Sequence, residues 1–201
     1  MDIEQPTSSF QLIDRIKRGD REALSLLFDK HRRRLAVLAH YRLGPQLRGL
    51  VEIDDIIQDT LLKAYVQFDQ FTYRTPGSFL HWLARIMEHV IRDAARYHGR
   101  QKRNAAEMLP LRSQSNPGGP EPANSETPSR LLAQDEGLRA LLRELDRLPD
   151  HYREVILLAK LEGLSTGEIS ERIGKSRAAV ALLLHRAIKR FRQVRGLEDT
   201  P

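Results

Sequence analysis

Residues 163–191 limit what this chain can fold into more than any other stretch, because they specify two helices and the turn between them. Ser165 followed by Glu168 is a capping box, in which each side chain satisfies an N–H that a helix start leaves open. A short helix is predicted over residues 166–173. Gly174 stands where that helix must stop, since glycine takes the left-handed cap conformation without a Cβ clash. Ser176 then caps a second helix predicted to run to about residue 191. Ile169 and Ile173 are four apart, and Val180, Leu184, Ala187, Ile188 and Phe191 recur at three and four, so two apolar faces meet across the turn. The opposite side of the second helix carries Arg177, Ala178, Leu182, His185, Arg186 and Lys189, with Ser176 at its start. This is the pattern of a helix-turn-helix whose second helix enters a DNA major groove. An ordinary amphipathic hairpin with a solvated basic face is the plainer alternative.

The rest of the 201 residues repeats at helical period, with no strand-like alternation, so an all-α chain is predicted. Ser8 and Gln11 form a second capping box, opening a helix with Phe10, Ile13 and Ile16 that Gly19-Asp20 ends. A longer helix from residue 21 has the apolar stripe Leu24, Leu27, Phe28, Leu35, Leu38 and Ala39. It also carries His31-Arg32-Arg33-Arg34, a charge run readable as a solvated face or as a nucleic-acid contact. Gly44-Pro45 breaks it. In residues 52–68, Ile53, Ile57, Leu61 and Ala64 make an apolar row flanked by Ile56 and Leu62, while Asp55, Gln58, Asp59 and Lys63 lie on an exposed side. Acids at a helix start also favour the macrodipole. A metal site at Asp55 and Asp59 lacks further ligands, so no metal and no cofactor are expected.

Residues 69–77 read as a loop with two aromatics and an arginine, suited to stacking unpaired bases; Phe71 is alternatively a core plug. The helix predicted over 78–98 pairs an apolar face (Phe79, Trp82, Leu83, Ile86, Val90) with a basic one (Arg85, His89, Arg92, Arg96), as contact with a phosphate backbone requires. Trp82 is otherwise a core residue.

Between residues 110 and 129 the composition shifts: five of the ten prolines lie there, with Gly118-Gly119. A flexible linker over 106–130 therefore separates an N-terminal domain (8–105) from a C-terminal one (131–194). The latter should hold four helices in a winged-helix-like arrangement, the first over 131–148 and the next capped by Asp150. Loose tails are expected at residues 1–9 and 196–201. The 33 Lys and Arg against 27 acids favour a polyanionic partner, modestly. There is no cysteine, hence no disulfide framework, and neither a secretion signal nor an apolar run of membrane-spanning length, so a soluble, cytoplasmic protein is expected. No nucleophile–base pair or convergent acid set points to an enzyme.

Taken together these motifs resemble a bacterial RNA polymerase sigma factor of the extracytoplasmic-function (ECF) type. The family's core-binding pattern is matched by Asp55-Ile56-Ile57-Gln58-Asp59-Thr60-Leu61-Leu62-Lys63-Ala64, and its Ser-Phe-x-x-Trp-Leu-x-x-Ile by residues 78–86. Asp93 and Arg96 match further along, as do Leu148-Pro149 with Arg153 and Val155, Gly163 to Gly174, and Leu184-His185-Arg186-Ala187. The resemblance implies that Asp54, Asp55, Gln58 and Asp59 bind core polymerase. It implies that Phe71, Tyr73, Arg74, Thr75, Trp82, Arg85, His89, Arg92 and Arg96 engage the melted minus-ten strand. Ser176, Arg177, Ala178, Leu182, His185, Arg186 and Lys189 would read the minus-thirty-five duplex. Core RNA polymerase, promoter DNA and an anti-sigma factor are the partners it implies, with no membrane and no small-molecule substrate. The chain departs from the family at His89, where Asn is usual, and at Ala181-Leu182-Leu183, where the recognition helix usually carries cations. A helix-turn-helix regulator that acts without joining a polymerase is the alternative.

Overall fold

A computed structural model of the protein describes residues 8–75, 77–107 and 130–196, and every regular element among them is helical. In the N-terminal half, Ser8 caps α1 (Ser9–Lys17) through the expected reciprocal bonds with Gln11. Asp20 accepts from the N–H groups of Glu22 and Ala23 to start α2 (Arg21–Arg42). A single turn, α3 (Pro45–Arg48), leads to α4 (Ile53–Val66), and a tight turn over Phe68–Gln70 leads to the loop before α5 (Ser78–Glu107). Leu27, Leu35, Leu38, Ile56, Ile57, Phe79, Leu83 and Met87 interlock as the core, so α2, α4 and α5 form one bundle. Burying such side chains is worth about 1.5–3 kcal/mol each relative to exposure.

Several expectations are revised here. The last basic helix runs to Glu107, beyond residue 98. Phe10, assigned to the apolar face of the first helix, is exposed, and Leu12 takes the buried position beside Ile13. Leu62, assigned to the apolar flank of α4, points to solvent. His31, written within a charge run, is buried against Phe79 with ring centres 5.3 Å apart.

The C-terminal half comprises α6 (Arg130–Gln134), α7 (Glu136–Asp146), α8 (Asp150–Ile156), α9 (Thr166–Ile173) and α10 (Arg177–Val194). The first predicted helix, over 131–148, is thus two: Asp135 leaves helical geometry, and its carboxylate accepts from the Leu138 N–H. The next helix is not capped by Asp150, which is already its first residue and pairs with Arg153; Pro149 holds the cap position. The helical path widens to a π turn over Leu157–Leu161 before Glu162. No strand follows the helix-turn-helix among the described residues, so nothing there corresponds to a wing. Of the expected tail at 1–9, Ser8 and Ser9 instead cap and open α1; its residues 1–7, residues 108–129 of the expected linker and residues 197–201 of the expected tail at 196–201 lie outside the described residues.

The two helical domains are not held apart. Buried apolar residues of both form one continuous cluster. Around it, Arg33 donates to Asp135 at 2.9 Å and the Tyr41 hydroxyl to Asp146 at 2.8 Å. Glu162, 1% exposed, accepts from Arg42 of α2 and from Arg172 of α9 (3.1 Å), and Arg172 reaches on to Glu88 of α5. Burial works against the Arg42 charge, but the Glu162 and Glu154 carboxylates outweigh it and hold the guanidinium above its ordinary pKa. At the tightest point two glycine backbones meet: a Cβ on Gly77 would stand 2.7 Å from the Gly163 carbonyl oxygen. Gly163 also has φ +73°, so it is glycine for two reasons.

Candidate nucleic-acid and protein interfaces

Three surfaces carry the side chains singled out by sequence. The first is on α4. Asp55, Gln58 and Asp59 are exposed along one side, and Asp54 is half-buried. Spacing of four, three and four residues extends the row from Asp55 through Asp59 to Leu62 and Val66, which are 61% and 73% exposed. Tyr65 stands exposed beside them. Asp55 and Asp59 have no ion-pair partner among the described residues. Lys63, by contrast, is turned toward α5 and donates to Asp93 at 3.0 Å. That bond holds the Asp93 carboxyl below its usual range. The row is therefore acidic at one end and apolar at the other, a combination suited to a protein partner rather than to water. Sequence reading had placed only the acidic half, because a leucine at helical spacing is indistinguishable from a core leucine until its neighbours are known.

The second surface lies around the loop before α5. Ser78 organises it: its hydroxyl donates to the Thr75 carbonyl at 2.8 Å and accepts from the N–H groups of Arg74 and Thr75. Arg74 and Thr75 are exposed as a result, and Tyr73 is half-buried with its ring 5.5 Å from Phe10. Phe71 is different. It is 9% exposed and packed against Phe79 (5.2 Å between centres) and Trp82 (5.0 Å). Its ring supports the loop from beneath, so its expected place on the base-stacking surface is corrected to the core; Trp82 is half-buried in the same aromatic group. Along α5, Arg85, His89, Arg92 and Arg96 are all exposed, at helical spacing on one side. Arg96 approaches Asp93 at 3.8 Å. Arg85 borders a cleft of about 440 Å³ between the domains, across which lie Glu168 and Glu171 of α9.

The third surface is the helix-turn-helix. The capping box forms as the sequence dictates: Glu168 accepts from the Ser165 N–H at 2.8 Å, and Ser165 accepts from the Glu168 N–H at 3.3 Å. The bonds from the Ser165 hydroxyl and N–H hold the Glu168 carboxyl below its ordinary pKa. Gly174 takes φ +66°, ψ 34°, and Ser176 accepts from the Ala179 N–H at 3.2 Å. Ile169, Val180 and Ala187 are buried at the crossing of the two helices. Ser176, Arg177, Ala178, Leu182, His185, Arg186 and Lys189 are all exposed. Among the described residues, Arg186 and Lys189 have no ion pair, so their charge is available to an outside anion.

What sequence reasoning missed is the contact between domains: Arg33, Tyr41, Arg42, Glu88, Asp135, Asp146, Glu162 and Arg172. Each is an ordinary polar residue in its own helix, and its partner lies some 80 to 120 positions away. No group of three or more His, Asp or Glu among the described residues has the geometry of a metal site. No helix among them is long and apolar enough to cross a membrane.

Comparison with known proteins identifies the family of the two helical halves. A family model for sigma-70 region 2 matches residues 27–101 and one for sigma-70, region 4 matches residues 138–191. The ECF RNA polymerase sigma factor SigD of Mycobacterium tuberculosis (strain ATCC 25618 / H37Rv) is 29% identical over 175 residues, 87% of this chain and 77% of that protein. The ECF RNA polymerase sigma-E factor of Escherichia coli (strain K12) is 26% identical over 159 residues, covering 79% of each. Among solved structures, CnrH in complex with the cytosolic domain of CnrY covers 94% of this chain and 97% of its own at 21% identity, with a TM-score of 0.41.

Proposed function

Because the chain belongs to the sigma-70 family, as an RNA polymerase sigma factor of the ECF type, we propose that its three exposed surfaces divide the work of promoter-specific transcription initiation. It is a polymerase subunit and not an enzyme. The row Asp54, Asp55, Gln58 and Asp59, extended by Leu62, Tyr65 and Val66, docks on core polymerase. The exposed carboxylates of Asp55 and Asp59 give this contact its register, and the apolar end gives it area to bury. Tyr73, Arg74 and Thr75, with Arg85, His89, Arg92 and Arg96, engage the melted minus-ten strand. Exposed cations follow its phosphates, and stacking is worth ~1–3 kcal/mol per base. Ser176, Arg177, Ala178, Leu182, His185, Arg186 and Lys189 contact the minus-thirty-five duplex. The protein works in the cytoplasm, where polymerase and chromosome are, and an anti-sigma antagonist is a further partner that family membership brings with it.

The observation that carries this reading is the exposed side of α4, where Asp55 and Asp59 stand without an ion pair among the described residues and Leu62 and Val66 face solvent, in a chain that also exposes a recognition helix. A DNA-binding regulator without a polymerase has no use for such a row. Capture of core polymerase by the full chain, followed by run-off transcription sequenced for start sites, tests it. Asp55→Lys/Asp59→Lys is expected to weaken capture at least tenfold while DNA binding by α10 is retained. Undiminished capture would remove α4 from the polymerase contact.

A further inference from the structure

The exposed side of α10 changes character along its length. Its first two turns present Ala178, Ala181 and Leu182, all solvent-facing, with Leu182 50% exposed. Cations stand on either side of this patch, Lys175 and Arg177 at the start and His185, Arg186 and Lys189 beyond it. Val180, Leu184 and Ala187 hold the helix to the domain from the other side, so nothing in the fold calls for an apolar residue at 182.

A recognition helix meets base edges with its N-terminal residues, and its flanking cations meet phosphates. In that geometry Ala178 and Leu182, beside Arg177, turn a methyl group and an isobutyl group toward the base edges. Neither donates nor accepts a hydrogen bond. The apolar feature of the major groove is the C5-methyl of thymine, and the polar edges of a G·C pair would be desolvated against leucine with no partner. We infer that Leu182, with Ala178 beside it, selects thymine in the upstream promoter element by enclosing its C5-methyl, so that discrimination at the base pair Leu182 meets is apolar while Arg186 and Lys189 supply sequence-independent affinity. This rests on the reading that the helix-turn-helix contacts that element.

The test uses holoenzyme, the full chain with core polymerase, on a duplex promoter mapped by the run-off experiment. Each thymine of the upstream element is replaced in turn by deoxyuridine, which lacks only the methyl. At one or two adjacent positions the replacement is expected to weaken binding about fourfold, the value of burying one methyl group. In Leu182→Ala the same replacement should change binding by less than about 1.5-fold, since the partner of the methyl is gone. Leu182 is half exposed, so the variant keeps its fold. Arg186→Glu is run in parallel and should weaken wild-type and deoxyuridine promoters alike. Mapped promoters without thymine in that window, methyl removal without effect, or equal sensitivity in Leu182→Ala each overturns the inference while leaving the helix-turn-helix reading in place. If Arg186→Glu also leaves binding unchanged, the reading beneath it falls.

Discussion

His31 shows how a single side chain can tie stability to pH. Its ring lies in the core of the first domain, with Nε2 3.1 Å from the Ser9 hydroxyl and Nδ1 without a partner among the described residues. Burial, reinforced by Arg34 and Lys30, lowers its pKa from 6.5 to about 4. As pH falls, the unfolded chain takes up this proton first, and the folded chain follows only near pH 4. Stability is therefore complete above pH 6.5 and declines between 6.5 and about 4, by roughly 3 kcal/mol in all. Thermal unfolding of wild type and His31→Gln across that window checks it: the variant should lose this slope. Lowered carboxyl pKa values at Asp20, Asp93, Glu136 and Glu168 act at lower pH, below about 4.5, and should be common to both proteins.

Among the elements, α9 and α10 were the most legible in the sequence and α6–α7 the least, and the difference is one of distance. Ser165, Glu168, Gly174 and Ser176 each settle the backbone within three or four residues of themselves, so cap, turn and periodicity all point to one geometry. Ser165→Ala should accordingly cost about 1 kcal/mol of stability in the C-terminal domain, read from chemical denaturation. Asp135 looks like any acid on a helix face until its carboxylate is seen to cap α7 and to bind Arg33, 102 residues earlier. Phe71 was ambiguous for a related reason. It lies between helices, where no period distinguishes a ring turned inward from one turned outward, and Phe79 and Trp82 decide it by packing. The α4 row was half legible: unpaired acids stand out in a sequence, whereas Leu62 and Val66 declare themselves only by exposure.

At the scale of the whole molecule, the sequence suggested two units on a tether, and the structure shows them sharing an apolar core, with Glu162 buried between arginines from both. The glycine contact makes this arrangement testable. Gly77→Val places a side chain against the Gly163 backbone and, at a residue outside the left-handed region, adds no strain of its own. Small-angle X-ray scattering should show an expanded particle, and circular dichroism an unchanged helix content; an unaltered scattering profile would mean that the contact does not hold the halves together. The same contact sets a limit on reach. Two marks twenty-five base pairs apart on a duplex are separated by roughly 85 Å. Gly163 and Ala178 are fifteen residues apart, at most about 54 Å even for a fully extended chain, and the loop proposed to hold the melted strand adjoins Gly77. While those two backbones touch, one molecule falls short of that separation, so under the proposed division of surfaces the compact form must come apart before the first transcript begins.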